Sequence, residues 1–121
     1  MLDKENYVSL ATFRRDGRAV ETPIWFAAEG GTLVAFTAGD SGKVKRVRNS
    51  GRARIAACDA RGRVHGPWHE ARAELVGDSA AVARMHAALR AKYGWLMWLA
   101  DVGARLTGRY AKRAYLRITP T

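Results

Sequence analysis

Tight-turn signals at short intervals constrain the fold of this chain more than any other feature of its sequence. Asp16-Gly17 follows a run of β-branched and aromatic residues at 7–13, and Gly30-Gly31 follows a second run at 19–27. Such turns need a backbone with positive φ, which glycine adopts without steric cost. The second run alternates between two faces, as half-buried strands do. Neighbouring strands joined in this way predict antiparallel pairing in a small barrel.

The rest of the chain continues the pattern and adds helices at two places. Strands are predicted at residues 7–13, 19–27, 33–37, 52–59, 68–76 and 114–119. A short helix is predicted over 43–49, after the third strand, and a helical pair over 78–94 and 95–108 precedes the last strand. We therefore predict a mainly β, α+β fold: a six-stranded antiparallel β-barrel in a single domain over residues 1–121.

The second helix of the pair carries a long apolar stripe. The stripe consists of Trp95, Trp98, Leu99, Val102 and Leu106. Large apolar side chains at this spacing are typical of a helix face that packs on a core, so we expect the stripe to cover the barrel. Leu96 and Met97 lie off the stripe, at positions where a dimer partner or a substrate pocket is the alternative to core packing.

Charge is the most informative part of the composition. Lysines and arginines number 21 against 11 acidic residues, which leaves a formal net charge of +10. An excess of this size indicates an anionic partner or a strongly solvated surface. Half of the residues in one short segment are cations, namely Lys43, Lys45, Arg46, Arg48, Arg52 and Arg54.

The first three of these cations lie in the opening turns of the predicted short helix, where unpaired backbone N–H groups already carry positive partial charge. A bound phosphate makes this placement favourable, because it accepts hydrogen bonds from the amides and pairs with the cations. Thr37 and Ser41 add hydroxyl groups, while Gly39 and Gly42 allow close approach to the backbone. A solvated basic helix face explains the same run, and both interpretations stay open. Nucleic acid is a third candidate, which the lack of aromatic residues among the cations disfavours.

Other kinds of site find little support in the sequence. Cys58 is the single cysteine, which excludes an internal disulfide and favours a buried thiol. Gly66-Pro67 separates His65 from His69 and prevents a shared helix face, so we predict no metal site and no catalytic residue. No apolar run is long enough for a membrane span, and the charged residues 1–5 do not resemble a secretory signal. We expect a cytoplasmic protein without a membrane partner.

Several segments taken together resemble the pyridoxamine 5′-phosphate oxidase-like superfamily of flavin-binding split β-barrels. These segments are YVSLAT at 7–12, GRAVETPIWF at 17–26, FTA at 36–38 and SGKVKRVRN at 41–49. Two more, CDARGR at 58–63 and GPW at 66–68, are similar to the branch that uses the deazaflavin coenzyme F-420. The order and separation of the segments carry the resemblance, which is looser towards the last strand.

The resemblance implies a homodimer with cofactors in clefts between two split β-barrels. It assigns the phosphate end of the cofactor to Thr37, Ala38, Ser41, Gly42, Lys43, Lys45 and Arg46. It places the cofactor ring against Thr22, Pro23 and Trp25, with Trp68 approaching from the partner subunit.

The implied function is an oxidoreductase that uses F-420, or alternatively FMN, to transfer hydride to a small organic substrate. In such enzymes the cofactor carries the chemistry, while the protein binds, orients and excludes water. A non-catalytic carrier or binder of the same cofactor is the alternative, since the sequence displays binding residues alone.

Overall fold

Seven antiparallel strands form one curled sheet in the computed structural model, which describes residues 5–121. The strands are β1 (Tyr7–Phe13), β2 (Ala19–Ile24), β3 (Ala27–Glu29), β4 (Thr32–Ala38), β5 (Arg52–Cys58), β6 (His69–Val76) and β7 (Arg113–Pro120). Their order across the sheet is β2-β1-β5-β6-β7-β4-β3. The two edge strands are consecutive in the sequence, because the sheet curls on itself into a half-barrel. The predicted α+β class and antiparallel barrel are confirmed.

Three helices accompany the sheet: α1 (Gly42–Asn49), α2 (Ser79–Tyr93) and α3 (Trp95–Leu106). A 3₁₀ turn at Tyr110–Lys112 leads into β7. The short helix and the helical pair lie where the sequence predicts them. None of the helices within residues 5–121 is long and apolar enough to cross a membrane. The expectation of no secretory signal concerns a segment whose residues 1–4 lie outside the described part.

The sheet has one strand more than the sequence predicts. A single strand is expected over 19–27, whereas the chain bends at Trp25 and Phe26 and forms β2 and β3. β2 pairs with β1, and β3 pairs with β4 at the opposite edge of the sheet. The bend is required because one straight strand cannot belong to both edges.

The side chain of Tyr93, at the end of α2, supports this bend. Its hydroxyl accepts the N–H of Phe26 at 2.9 Å and lies 2.7 Å and 3.0 Å from the carbonyl oxygens of Asn6 and Phe26. Its ring stacks on Trp25 with centroids 4.4 Å apart. Burial raises the pKa of Tyr93 to about 12, so the hydroxyl keeps its proton. One side chain thus satisfies backbone groups at the point where strand pairing changes.

Two clusters of apolar side chains lie on opposite faces of the sheet. The first fills the barrel and includes Leu10, Ile55, Leu116 and, from α1, Val47. The second lies outside the barrel, where Val34 and Tyr115 are covered by Met85, Leu89 and Tyr93 of α2 and by Met97 of α3. α1 therefore closes the barrel interior, while α2 and α3 cover one outer surface.

The orientation of α3 contradicts the sequence prediction. The stripe at 95, 98, 99, 102 and 106 was expected on the barrel, but its large side chains face solvent and Met97 is the fully buried residue of the helix. Asp101 explains the difference, because it lies four residues after Met97 and so shares its face. If α3 were rotated so that the stripe faced the barrel, Asp101 would lose its contacts with two residues of the fold.

These partners are Arg113 and His86, which lie 2.7 Å and 2.8 Å from the two carboxylate oxygens of Asp101. The side chain of Arg113 is only 6% exposed, so its charge has to be compensated locally. Burial opposes the ionisation of Asp101, but hydrogen bonds from Arg113 and His86 outweigh it and hold the pKa of that carboxyl below its usual value. The ion pairs join α3 to α2 and to the start of β7.

Candidate functional site

The start of α1 offers hydrogen-bonding groups that the fold does not use. Ser41 occupies the N-cap position, but its hydroxyl makes no capping hydrogen bond. That oxygen is buried, and it has no hydrogen-bond partner within residues 5–121. A serine at this position normally accepts from the amides of the first turn. Because it does not do so here, the hydroxyl and the first amides of α1 remain available to an anionic ligand.

The three predicted cations of α1 occupy different environments. Lys43 is half-buried, and both burial and the charge of Arg46 lower the pKa of its ammonium group. Arg46 donates from Nε to the hydroxyl of Thr12 at 2.6 Å, which holds its guanidinium at the barrel mouth. Burial and the charge of Arg14 lower the pKa of Arg46. Lys45 is exposed. Within the described chain no acidic residue forms an ion pair with Lys43 or Arg46, so two cations of like charge stand close together without compensation.

A second unused hydroxyl belongs to Thr22 on β2. Its Oγ1 is buried and finds no hydrogen-bond partner in the part of the chain that the structure describes. Thr22 lies opposite Leu10, and Thr12 lies opposite Val20, so Thr22 and Thr12 share the barrel-facing side of the β1–β2 ladder. Because Arg46 contacts Thr12, the orphan hydroxyl of Thr22 lies on the face that α1 covers. Buried polar atoms without partners are uncommon in folded proteins, and two occur here at predicted ligand positions.

The other residues predicted to contact a cofactor ring do not lie beside Thr22. Pro23 points to the opposite face of β2, where it is exposed and packs near Gly62. Trp25 lies in the bend and stacks on Tyr93 outside the barrel. Trp68 is 38% exposed in the loop before β6. The structure of one chain therefore separates these side chains.

The two glycines of the loop accommodate groups of the protein itself. The N–H of Gly39 donates to the carbonyl oxygen of Lys112 at 2.8 Å, and a Cβ at position 39 would collide with that oxygen. A Cβ at Gly42 would lie 2.7 Å from Nη1 of Arg46. The expected approach at both positions was that of an anion, and the groups that the structure places there are a backbone carbonyl and a guanidinium.

A cleft of about 770 Å³ opens beside Thr37. Its walls are formed by the end of β4 with Thr37 and Ala38, by α3, and by the segment between α3 and β7. The lining includes three cations that the sequence analysis did not assign to a site: Arg109 and Lys112 of this segment, and Arg113 at the start of β7. Asp40 is the acidic residue of the lining. A volume of this size is typical of ligand pockets.

The floor of this cleft is built by aromatic stacking on Arg113. Its guanidinium lies 4.1 Å from the ring centroid of Phe36 and 4.9 Å from that of Tyr110. Since Asp101 neutralises Arg113, the uncompensated positive charge of the cleft comes from Arg109 and Lys112. Three cations within five residues after Gly108 were the available sequence signal, but they lie between the predicted second helix and last strand and were not assigned a role.

The residues at α1 and along the cleft offer groups that can bind a ligand. Cys58 is buried, and burial together with Asp59 and Glu5 raises the pKa of its thiol, which opposes nucleophilic reactivity. Within residues 5–121 no three His, Cys, Asp or Glu side chains are grouped closely enough to hold a metal ion. The arrangement at α1 and at the cleft is suited to hold and orient an anionic ligand.

Comparison with known proteins gives a family and a fold. The sequence profile of the family described as pyridoxamine 5′-phosphate oxidase matches residues 1–121. No curated protein matches the sequence. The conserved hypothetical protein Rv2991 from Mycobacterium tuberculosis superposes with a TM-score of 0.73 at 22% identity, over 98% of this chain and 75% of that one.

Two further solved structures share the fold. An F420 reductase superposes with a TM-score of 0.62 at 19% identity, over 99% of this chain and 90% of that one. The heme storage protein HutZ from Vibrio cholerae superposes with a TM-score of 0.73 at 13% identity, over 98% and 83% of the two chains. At these identities the structures agree in fold, although one is an F420 reductase and the other a heme storage protein.

Proposed function

Because the chain belongs to the pyridoxamine 5′-phosphate oxidase family, we propose that it is an oxidoreductase that binds a phosphorylated flavin-type cofactor. The single observation that carries the proposal is the uncompensated polar site at α1. Lys43 and Arg46 lie together at the barrel mouth, and the buried hydroxyls of Ser41 and Thr22 have no partner among the described residues. A phosphate and a polar ring edge are groups that fit these positions.

In this proposal the residues of α1 hold the phosphate. The first amides of the helix and the hydroxyl of Ser41 donate hydrogen bonds, and Lys43 supplies a charge-assisted contact. Arg46 adds positive charge while its Nε remains bonded to Thr12. We assign the phosphate contact to Lys43 rather than to Lys45, because Lys43 is half-buried beside Arg46 and Lys45 is exposed.

Thr22 orients the cofactor ring through its free hydroxyl in this arrangement. Pro23 and Trp25 point elsewhere in the single chain, so closure of the ring site depends on a second subunit. The proposed assembly is a homodimer in which Trp68, exposed in its loop, reaches the partner's site. When bound, a reduced cofactor of this type supplies the hydride that reduces a small organic acceptor. The protein's part is to bind, orient and exclude water.

We favour F-420 over FMN as the cofactor. The formal net charge of +10 suits a ligand that carries an extended acidic tail. The fold shared with an F420 reductase supports the same choice. Fluorescence titration of the purified protein with each cofactor tests the preference. We expect the lower dissociation constant for F-420, and tighter binding of FMN would reverse the assignment.

Substitution of Lys43 tests the phosphate site itself. Because hydrogen bonds to charged groups contribute about 1.5–3 kcal/mol, Lys43→Ala is expected to weaken cofactor binding by about tenfold to a hundredfold. Lys45→Ala and Arg63→Ala remove the same charge from exposed positions and serve as matched controls. We expect at most a few-fold weakening in the controls. Equal losses in all three variants would show that overall charge alone attracts the ligand.

A non-catalytic binder of the same cofactor is the second candidate. The described site contains no acid–base dyad, and the heme storage protein HutZ has the same fold. Single-turnover assays with pre-reduced cofactor and a panel of small electron-poor acceptors distinguish the two functions. Reoxidation that depends on the acceptor and is faster than in free solution supports the enzyme. Tight binding without such reoxidation supports the binder.

A further inference from the structure

The outward face of α3 is more apolar than any other exposed part of the described chain. The exposed fractions along this one helix are 69% for Trp95, 42% for Leu96, 53% for Trp98, 47% for Leu99 and 83% for Leu106. Only Val64 and Trp68 are comparably large apolar residues with exposed side chains elsewhere in residues 5–121. An apolar patch concentrated on one element marks an interaction surface.

These side chains form one continuous arc. Positions 95, 98, 99, 102 and 106 follow the three- and four-residue spacing of a single helix face, and Leu96 borders it. The arc lies opposite Met97 and Asp101, which attach the helix to the fold. Since the contacts of Asp101 with Arg113 and His86 fix this rotation, the arc cannot turn inward without unpairing Arg113. Its exposure is therefore a built-in feature of the fold.

The charges around the arc are almost all positive. Residues 79–121 contain eight lysines and arginines but a single acidic residue, Asp101, so most of the net charge of the chain lies in this segment. Asp101 is occupied by His86 and Arg113. Arg90 and Arg105 are exposed and line, with Trp98, a shallow depression of about 260 Å³ at the border of the arc. The apolar face is therefore bordered by Arg90 and Arg105, neither of which forms an ion pair with a residue in 5–121.

We propose that α3 docks on an anionic lipid membrane surface. Tryptophan and leucine on one face with arginines at its border are typical of helices that lie in the membrane interface. Phosphatidylserine headgroups attract the flanking arginines while the apolar side chains enter the acyl boundary. Such docking is peripheral and needs no helix that crosses the membrane, and none of the helices within residues 5–121 is long and apolar enough to do so. It replaces the expectation of a protein without a membrane partner.

A second copy of the chain fits this face less well. Pairing two α3 helices about a two-fold axis would bring Arg90 and Arg105 near their own counterparts. No free acidic side chain on α2 or α3 is present to offset the repulsion, since Asp101 is the one acidic residue of the two helices. The positive border complements an anionic surface, so charge favours lipid over self-association.

Vesicle co-sedimentation of the full chain tests the proposal. With vesicles of phosphatidylcholine and phosphatidylserine in a ratio of about 7 to 3, we expect binding, a blue shift of tryptophan fluorescence, and loss of binding as NaCl rises from about 0.05 to about 0.5 M. Vesicles of phosphatidylcholine alone should bind at least tenfold more weakly. Equal binding to the two kinds of vesicle, or none to either, overturns the proposal.

Two kinds of variant separate the apolar and the charged contributions. Trp95→Ser with Trp98→Ser should weaken binding by about tenfold or more per tryptophan, because each removes a large buried apolar surface. Arg105→Glu should weaken it by at least fivefold, whereas the same charge change at Arg61, in the loop before β6, should have a smaller effect. Unchanged binding in the double variant, or equal effects of Arg105→Glu and Arg61→Glu, overturns the proposal. If the double variant instead converts a dimer into a monomer, α3 is a subunit interface and the lipid assignment is wrong.

Discussion

Removing the hydroxyl of Tyr93 should show how much this group contributes to the stability of the bend between β2 and β3. Tyr93→Phe keeps the ring and its stacking on Trp25, but it deletes the acceptor for the N–H of Phe26 and the donor to the nearby carbonyls. A buried polar group that loses its partner costs about 1–3 kcal/mol. The N–H of Phe26 is buried, while the carbonyl of Asn6 is only partly so and can recover water. We therefore expect the free energy of unfolding to fall by about 2–3 kcal/mol.

The expected change is large enough for calorimetry as well as for urea denaturation. At about 2.1 cal/mol/K per residue, the unfolding entropy of a chain of this length is about 0.25 kcal/mol/K, so the melting temperature should fall by about 8–12 °C. Tyr110→Phe is the matched control, because the hydroxyl of Tyr110 makes no hydrogen bond to another described residue while its ring contacts His86. We expect the control to change stability by less than about 0.5 kcal/mol. A loss this small in Tyr93→Phe would refute the role assigned to the hydroxyl.

The same variant carries a signature at alkaline pH. The pKa of Tyr93 is raised in the folded protein to about 12 from the ordinary value of 10. Stability linked to a raised pKa is complete below the unfolded value and is lost as pH rises through the folded one. The wild-type protein should therefore lose stability between pH 10 and about 12 more steeply than Tyr93→Phe. Parallel stability curves in that range would contradict the burial of this hydroxyl.

Three further substitutions follow from contacts described above, each checked by equilibrium denaturation. Gly39→Ala forces a Cβ against the carbonyl of Lys112 and should destabilise the protein by about 1–3 kcal/mol, whereas a neutral effect would mean that the turn is free to move. Gly103→Ala meets open space in the middle of α3 and should stabilise it by about 0.5–1 kcal/mol, so a loss would show an unforeseen contact. Asp101→Asn leaves the guanidinium of Arg113 without its anion and should cost about 3 kcal/mol near neutral pH. Because the pKa of Asp101 is depressed, the deficit of this variant should shrink as pH falls below about 4, and a constant deficit would contradict the ion pair.

The strands were predictable because their signals are local. Alternation and the turns at Gly17 and Gly30, both of which adopt positive φ, depend on residues a few positions apart. The extra strand was missed because the alternation continues through Phe26, which is buried as expected although the chain bends there. The chain has to bend because β2 and β3 pair at opposite edges of the sheet. That arrangement follows from the topology of the whole sheet, which the local sequence does not show.

The rotation of α3 could not be predicted for a related reason. Amphipathic periodicity identifies the apolar face of a helix, and the usual rule places that face on the core. Here the partners of Asp101 lie 15 residues before it and 12 residues after it. Neither separation matches the periodicity of a helix or a strand, so the sequence does not indicate these contacts. Here the helix is oriented by the contacts of Asp101 with Arg113 and His86, and its apolar face lies on the outside.

One part of the candidate site could be predicted from the sequence and the other part could not. Ser41, Lys43 and Arg46 belong to one turn of one helix, so the sequence shows them together. The cleft beside Thr37 joins β4, α3 and the segment before β7, which only the fold brings into contact. Arg109 and Lys112 were therefore overlooked as lining residues.

The position of β7 between β6 and β4 bears on how the chain is synthesised. Residues 113–120 pair with both neighbours, so β4 and β6 each present an open edge until this segment has left the ribosome. Open strand edges invite pairing with other chains. The barrel therefore cannot close until residues 113–120 have been synthesised, and any shorter nascent chain exposes the unpaired edges of β4 and β6.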